Sequence, residues 1–297
     1  MVSKDKMRLD VKWASRQRLQ YIEIMAYYTG VVTRSDVAKA FGISDAAATK
    51  DLKLYGDLAP DNLIYKHNVF GFVPADGFRE VFADLTPTAV LPRIAANLAT
   101  AGGPYEDQPI YGVTVDTLPT PNRLPDKSVV AQILRAIKAR TKLEAVYYSL
   151  SDRDNRDPRR LEPHSLVNTG LRWHVRAYNE ETYDFRDFVL SRFVEARKLE
   201  EAAESSVHYD DDWTETITLQ LTPHPKLDPQ KRMSLMIDYR GDKELIELTV
   251  RRALIGYVLQ HLSVDTTSDH SLNPNAYQLA LVNREEIEPF AAWALHS

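Results

Sequence analysis

Apolar positions recur at helical spacing near the start of the chain. Between Trp13 and Tyr28 they are Leu19, Ile22, Ile24, Met25 and Tyr28, which predicts a helix that Gly30 stops. Thr33 stands where an N-cap belongs and Asp36 follows three residues on, close to a capping box. The short helix Arg34 to Phe41 then ends at Gly42, a good C′ residue, with Ile43 as an apolar turn residue. Ser44 caps a third helix, and Asp45 in its first turn suits the helix dipole. In that helix Ala48, Leu52 and Tyr55 fall at i, i+4 and i+7, so they face a core. Beyond Pro60, residues 62–73 hold two short apolar runs split by Lys66, His67 and Asn68, which predicts a hairpin with a polar tip.

The pattern then changes. Residues 101–125 contain five Pro and three Gly and read as a linker. A helix from Ser128 to Arg140 follows, then strands. The segment Arg172 to Tyr178 alternates strictly: Arg172, His174, Arg176 and Tyr178 share one face, and Trp173, Val175 and Ala177 share the other, apolar one. The next strand, Tyr183 to Val194, places Arg186, Phe188, Leu190 and Arg192 together. A second boundary falls near Glu200 to Asp212. Its run Asp210–Asp211–Asp212 reads as solvated linker rather than a metal site. The last block mixes a strand (Thr216 to Leu221), a helix after Pro229, a strand near Leu245 to Val250, and an amphipathic stretch through His261. Leu254, Ile255, Val258, Leu259 and Leu262 of that stretch are candidates for a subunit interface. The expectation is an α+β protein of four segments: 1–85, helices with a small hairpin; 86–125, a helix and linker; 126–205, a helix followed by strands; and 206–297, a C-terminal α/β domain.

Composition narrows the function. With 297 residues, 44% hydrophobic and 27% charged, the chain has ordinary globular proportions. The absence of Cys removes disulfides, thiol catalysis and Cys-ligated metals and fits a reducing compartment, so a cytoplasmic location is expected. No apolar stretch approaches the ~18 residues of a membrane span, and no secretory signal is visible at Met1 to Asp10. The net charge is −5, yet the first 80 residues carry 12 basic and 10 acidic side chains. Six of the basic residues lie between Met1 and Arg18, which reads as a basic arm or a solvated one.

Two surfaces have suggestive chemistry. On the third helix the face opposite the core shows Ala46, Ala47, Thr49, Lys50 and Lys53. Small residues allow close approach to a groove, Thr reaches a thymine methyl or a phosphate, and lysines suit phosphates. Arg34, Ser44, Lys66 and His67 complete the candidate DNA-binding set. In the middle block every Lys or Arg between Leu143 and Ala196 is Arg. Arg grips phosphate bidentately, and rings stack on bases. The candidate anion-binding set is Tyr147, Ser149, Arg159, His164, His174, Arg176, Arg186 and Arg192. The same arginines could instead pair internally with Asp152, Asp154, Asp157, Glu162, Asp184 or Asp187. No phosphate-loop, dinucleotide, zincin or nucleophile-elbow motif is present, and no cofactor is expected. An enzyme acting on nucleic acid or nucleotides, or a nucleic-acid-binding adaptor that touches no promoter, remains as an alternative.

Pro163-His164-Ser165-Leu166-Val167, Arg172-Trp173-His174-Val175-Arg176-Ala177-Tyr178 and Phe185-Arg186-Asp187-Phe188-Val189-Leu190-Ser191-Arg192 together resemble the WYL domain. The namesake triplet appears as Trp173-His174-Val175, which suits the BrxR/CapW-type regulators of bacterial phage-defence operons. The resemblance spans essentially the whole chain: winged helix-turn-helix, linker helices, WYL domain and a C-terminal extension called WCX. It implies an Sm-like small β-barrel for the WYL part and a homodimer on an inverted-repeat operator of double-stranded DNA. It also implies repression relieved by an anionic ligand, a nucleotide or an oligonucleotide.

Overall fold

The computed structural model describes residues 11–96, 109–116, 118–119, 121, 123–150 and 157–296. The chain forms two compact units, divided at Pro119/Thr120. Among the described residues no helix is long and apolar enough to cross a membrane.

The first unit opens with α1 (Trp13–Ile24), continued by a π-helical turn, Met25–Thr29, and ended by Gly30 at φ 80°. Helix α2 (Arg34–Phe41) begins with the expected box. The Asp36 N–H donates to Thr33 Oγ1 at 3.2 Å, and the Thr33 N–H donates to Asp36 Oδ2 at 2.7 Å. Gly42, at φ 60°, ends it. Helix α3 (Asp45–Leu58) starts at Ser44, whose hydroxyl accepts from the Ala47 N–H at 3.3 Å. Strands β1 (Leu63–Lys66) and β2 (Gly71–Pro74) form the antiparallel hairpin, or wing. Helix α4 (Pro87–Ala95) follows.

Ala48, Leu52 and Tyr55 are buried in this unit's core, as their spacing predicts. So are Val90 and Ile94 of α4, and Tyr111 from the Pro/Gly-rich stretch read as linker, so part of that stretch belongs to the core. The basic-arm reading divides. Lys4, Lys6 and Arg8 lie outside the described residues. Arg18 is engaged internally, its Nε donating to Asp51 Oδ2 at 2.7 Å on the inner side of α3. A second polar tie was not foreseen. Fully buried Glu23 accepts N–H donors from Val81, Phe82 and Ala83 at 2.9, 2.8 and 2.6 Å, and the Tyr55 hydroxyl at 2.8 Å. Asn62 Nδ2 donates to that hydroxyl at 2.8 Å, so one network ties α1, α3 and the segments flanking the wing.

The second unit begins with α5 (Lys127–Ala139). It packs against a five-stranded antiparallel sheet of β3 (Thr141–Tyr147), β4 (Arg159–Asn168), β5 (Trp173–Asn179), β6 (Asp184–Val189) and β7 (Phe193–Ala202), in the order β6-β5-β4-β3-β7. The ladders leave β6 and β7 as edges. The sheet is open, and the Sm-like barrel implied by the resemblance, which needs its ends joined, is not confirmed. Its core is Val129, Ile133, Leu143, Leu161, Val175 and Ala177 with the Tyr147, Phe188 and Phe193 rings. Trp173, expected among the apolar set, sits at the strand end and is partly exposed.

The short helix α6 (Asp211–Thr214) leads into a four-stranded sheet of order β10-β11-β8-β9. Its strands are β8 (Thr216–Pro223), β9 (Ile246–Arg251), β10 (Val264–Asp265) and β11 (Leu279–Leu281). Helices α7 (Pro229–Asp238), α8 (Ile255–His261) and α9 (Arg284–Ala291) accompany it. Ile255 and Leu259 are core residues here, whereas Leu254, Val258 and Leu262 are half-buried and line an apolar groove with Leu248 and Val250. His224, between Pro223 and Pro225, is fully buried and bonded through Nε2 to Asp265 at 3.0 Å.

Candidate nucleic-acid interface and anion site

The outward side of α3 is as its spacing predicts. Ala46, Thr49, Lys50 and Lys53 are exposed and Ala47 is half-buried. Ser44 is exposed and occupied as the cap; Thr49 Oγ1 donates to Asp45 O at 2.8 Å. Arg34 lies 3.3 Å from Asp45 in an exposed ion pair, which leaves it easily recruited by a phosphate. Between α2, α3 and the wing runs a groove of about 790 Å³, lined by Arg34, Thr49, Lys53, Asp57, Tyr65 and Phe70 among others. Lys66 closes β1, and His67, exposed, begins the wing turn against the Tyr65 ring.

The polar face of β5 departs from expectation, because it is not a surface. His174 and Arg176 are buried. Arg176 donates from Nε and Nη2 to the two oxygens of Asp210 at 2.7 and 2.8 Å, and its Nη1 lies 3.6 Å from Asp187. Asp210 also lies 3.0 Å from His164 Nε2 and accepts the Trp213 N–H as the cap of α6. Burial pushes the Asp210 carboxyl up, but the hydrogen bonds from Arg176 and His164 outweigh it and hold it at about 2. Asp187 accepts the Tyr257 hydroxyl at 3.2 Å. This part of the face is electrically neutralised from within. The solvated-linker reading of Asp210 is therefore corrected: it is buried and holds Arg176 and His164 together.

Toward the start of the same strand the balance reverses. Arg172, Arg192 and Arg123 are half-buried, and among the described residues no carboxylate pairs with any of them. Burial, then the charges of Arg123 and Arg192, push the Arg172 guanidinium down. Buried beside them, His174 has hydrogen-bond partners for neither ring nitrogen among the described residues. It packs on the Tyr257 ring at 4.8 Å. Burial first, and then Arg172, Arg192 and Arg123, press its pKa down to about 4. Uncompensated positive charge around an unsatisfied buried ring is chemistry that waits for an anion.

The remaining candidates are dispersed. Arg159 is buried with its guanidinium over the Tyr147 ring at 5.2 Å, and Tyr147 Oη accepts the Val189 N–H at 3.1 Å. Arg186 is exposed and paired with Asp184 at 2.7 Å. Ser149 is half-buried just beyond β3. Of the expected anion-binding set, the structure brings His174 and Arg192 together and adds Arg172 and Arg123. Arg172 was legible on the strand face. Arg123, from the Pro-rich stretch, had no signal. Among the described residues no group of His, Asp and Glu could hold a metal ion.

Three family models match the chain. They are the BrxR transcriptional regulator winged helix-turn-helix domain over residues 14–96, the WYL domain over 128–198, and the BrxR transcriptional regulator C-terminal dimerization domain over 216–287. Proteins described as "DNA-binding transcriptional repressor CapW" align along nearly all of it. One from Escherichia coli is 34% identical over 291 residues, covering 95% of this chain and 93% of its own. Those from Stenotrophomonas maltophilia and Pseudomonas aeruginosa are each 32% identical, covering 94% and 95% of this chain and 92% and 94% of theirs. These are names of transcriptional regulators rather than of an enzyme. Matched domain by domain and along its length, the chain belongs to the BrxR/CapW family of WYL-domain transcriptional repressors.

Proposed function

We propose that the protein is a homodimeric repressor that binds an inverted-repeat DNA operator through α3 and the wing. A phosphate-bearing ligand, a nucleotide or short oligonucleotide, releases it from the operator by binding at Arg172, Arg192, Arg123 and His174. The observation behind the ligand reading is the unpartnered, buried His174 ring amid three arginines without a carboxylate. Each guanidinium–phosphate fork contributes about 1.5–3 kcal/mol, so two or three hold a dianion. The ligand acts by favouring a dimer geometry that misfits the operator.

Dimerisation is argued from two sides. A lone recognition helix reads too few base pairs for a genomic address, and two-fold pairing supplies a second half-site. The C-terminal domain offers the surface: on α7, Met233 and Ile237 lie one turn apart and are 67% and 74% exposed. A phage-defence operon as the controlled unit, and the cytoplasm as the place of action, accord with the family.

The test is release. Inorganic phosphate, a set of nucleoside monophosphates and short DNA oligonucleotides are titrated into the protein bound to a duplex selected from a random pool. One of them should dissociate the complex for the wild type and fail to do so for Arg172→Ala. Release that is equal for both would remove this site from the reading.

A further inference from the structure

Phe70 closes the wing turn in a conformation that its side chain disfavours. Its φ is 48°, in the left-handed region, and it is 79% exposed. Gly or Asn occupies such a position at little cost, whereas a bulky side chain does not. The turn itself does not need the ring. It is closed by the Phe70 N–H donating to His67 O at 3.2 Å, a bond that any residue but Pro could make. Neighbouring rings pair without it: Tyr65 meets His67 at 5.0 Å and Phe72 at 5.2 Å. A strained residue that keeps a large apolar group in water points to something outside the fold.

The backbone that carries the ring is also held in place. At Gly71 a Cβ would come within 2.7 Å of the Val31 side chain and 3.2 Å of Val32 O. Phe72 and Val32 exchange backbone hydrogen bonds, each at 2.9 Å. The wing is thereby fastened to the segment leading into α2, and Phe70 keeps a fixed offset from α3. Phe70 lines the groove whose other wall presents Arg34 and Lys53, with Asp57 as the nearby acid. Lys66 and His67 stand on the wing beside it. Cations on both rims suit a phosphodiester strand lying in the groove, and that course carries the wing tip to the minor groove next to the major groove met by α3.

We infer that Phe70 is an apolar wedge that enters the DNA minor groove and partly unstacks one base step in each half-site. Such wedges favour flexible pyrimidine–purine steps, so the residue adds sequence preference at a position that no hydrogen bond reads. The inference rests on the DNA-binding reading above.

The experiment uses the full protein and duplexes selected from a random pool by the wild type. 2-Aminopurine is placed in turn at each adenine flanking the half-sites, and fluorescence is read on binding. The wild type should brighten one step per half-site. Phe70→Ala should brighten none and bind about 10-fold or more weakly, with an unchanged dependence on salt, because no phosphate contact is lost. Phe70→Leu should keep most of both signals. Thermal melts of the free variants should match the wild type. Wild-type binding with every probe silent overturns the wedge, as does brightening that persists in Phe70→Ala. A Phe70→Ala protein with a shallower salt dependence or an altered oligomeric state also overturns it, assigning the ring to a backbone contact or a protein partner. If no duplex is selected at all, the DNA-binding reading fails instead.

Discussion

Arg176 grips Asp210 with two parallel hydrogen bonds, 2.7 and 2.8 Å long, across 34 residues of chain and with both side chains out of water. The pair fastens β5 to the cap of α6, and through it to the strand β8 that opens the C-terminal domain. Removing one partner leaves the other charged and buried. Arg176→Ala should therefore lower the unfolding free energy of the second unit by about 3–5 kcal/mol in urea titrations. Since Asp210 sits at about 2 against an ordinary 3.8, its contribution is complete above about pH 4 and is lost as pH falls toward 2. Acid unfolding of Arg176→Ala should lack that step.

Arg172→Ala should behave oppositely. Its guanidinium is half-buried beside the like charges of Arg123 and Arg192, so its loss relieves both burial cost and repulsion. The melting temperature of the free protein should hold or rise. The rise in melting temperature that a phosphate-bearing ligand gives the wild type should vanish.

His174 makes stability and ligand affinity depend on pH in opposite senses. Its folded pKa is about 4 against an ordinary 6.5, so in that window the unfolded chain binds more protons. Stability is full above about pH 6.5 and falls as pH drops toward 4, by up to ~3 kcal/mol. A bound phosphate favours the imidazolium, so phosphate affinity should rise as pH falls from 7 to 5. His174→Gln should flatten both profiles, measured by urea unfolding and by titration calorimetry.

Lys50→Glu with Lys53→Glu should abolish DNA binding without altering the melting of the first unit, because both side chains are exposed on α3. Electrophoretic mobility shifts at two salt concentrations check this. Wild-type affinity should weaken with added salt as counterions are released.

Met233→Glu with Ile237→Glu should yield monomers in sedimentation equilibrium. The wild type should be a dimer at micromolar concentration. The double variant should lose high-affinity binding to a two-half-site duplex while its fold persists, since neither side chain is in the core.

The caps and stops were legible because they act locally. Thr33 with Asp36, Ser44, and Gly30 and Gly42 at positive φ each answer a need of the adjacent helix end. Strand alternation was legible too, and it separated the faces of β5 correctly at Val175 and Ala177. Alternation does not say what covers the polar face. Tyr257 of α8 and Asp210 before α6 arrive from distant sequence, and they turn an expected surface into an interior. The same blindness hid Glu23, whose backbone donors come from residues 58 to 60 places away. It also hid Arg123, which only tertiary placement brings to Arg172.

The open sheet has a consequence for how copies of the chain can meet. Its two edge strands offer rows of backbone donors and acceptors to any stray strand, the usual route to fibrous self-association. Both edges are studded with charge: Asp184 and Arg186 on β6, and Glu195, Arg197, Glu200 and Glu201 on β7. A second strand laid against either would set like charges side by side or strip ion pairs of water. The five-stranded sheet thus discourages growth by strand addition at its own two edges.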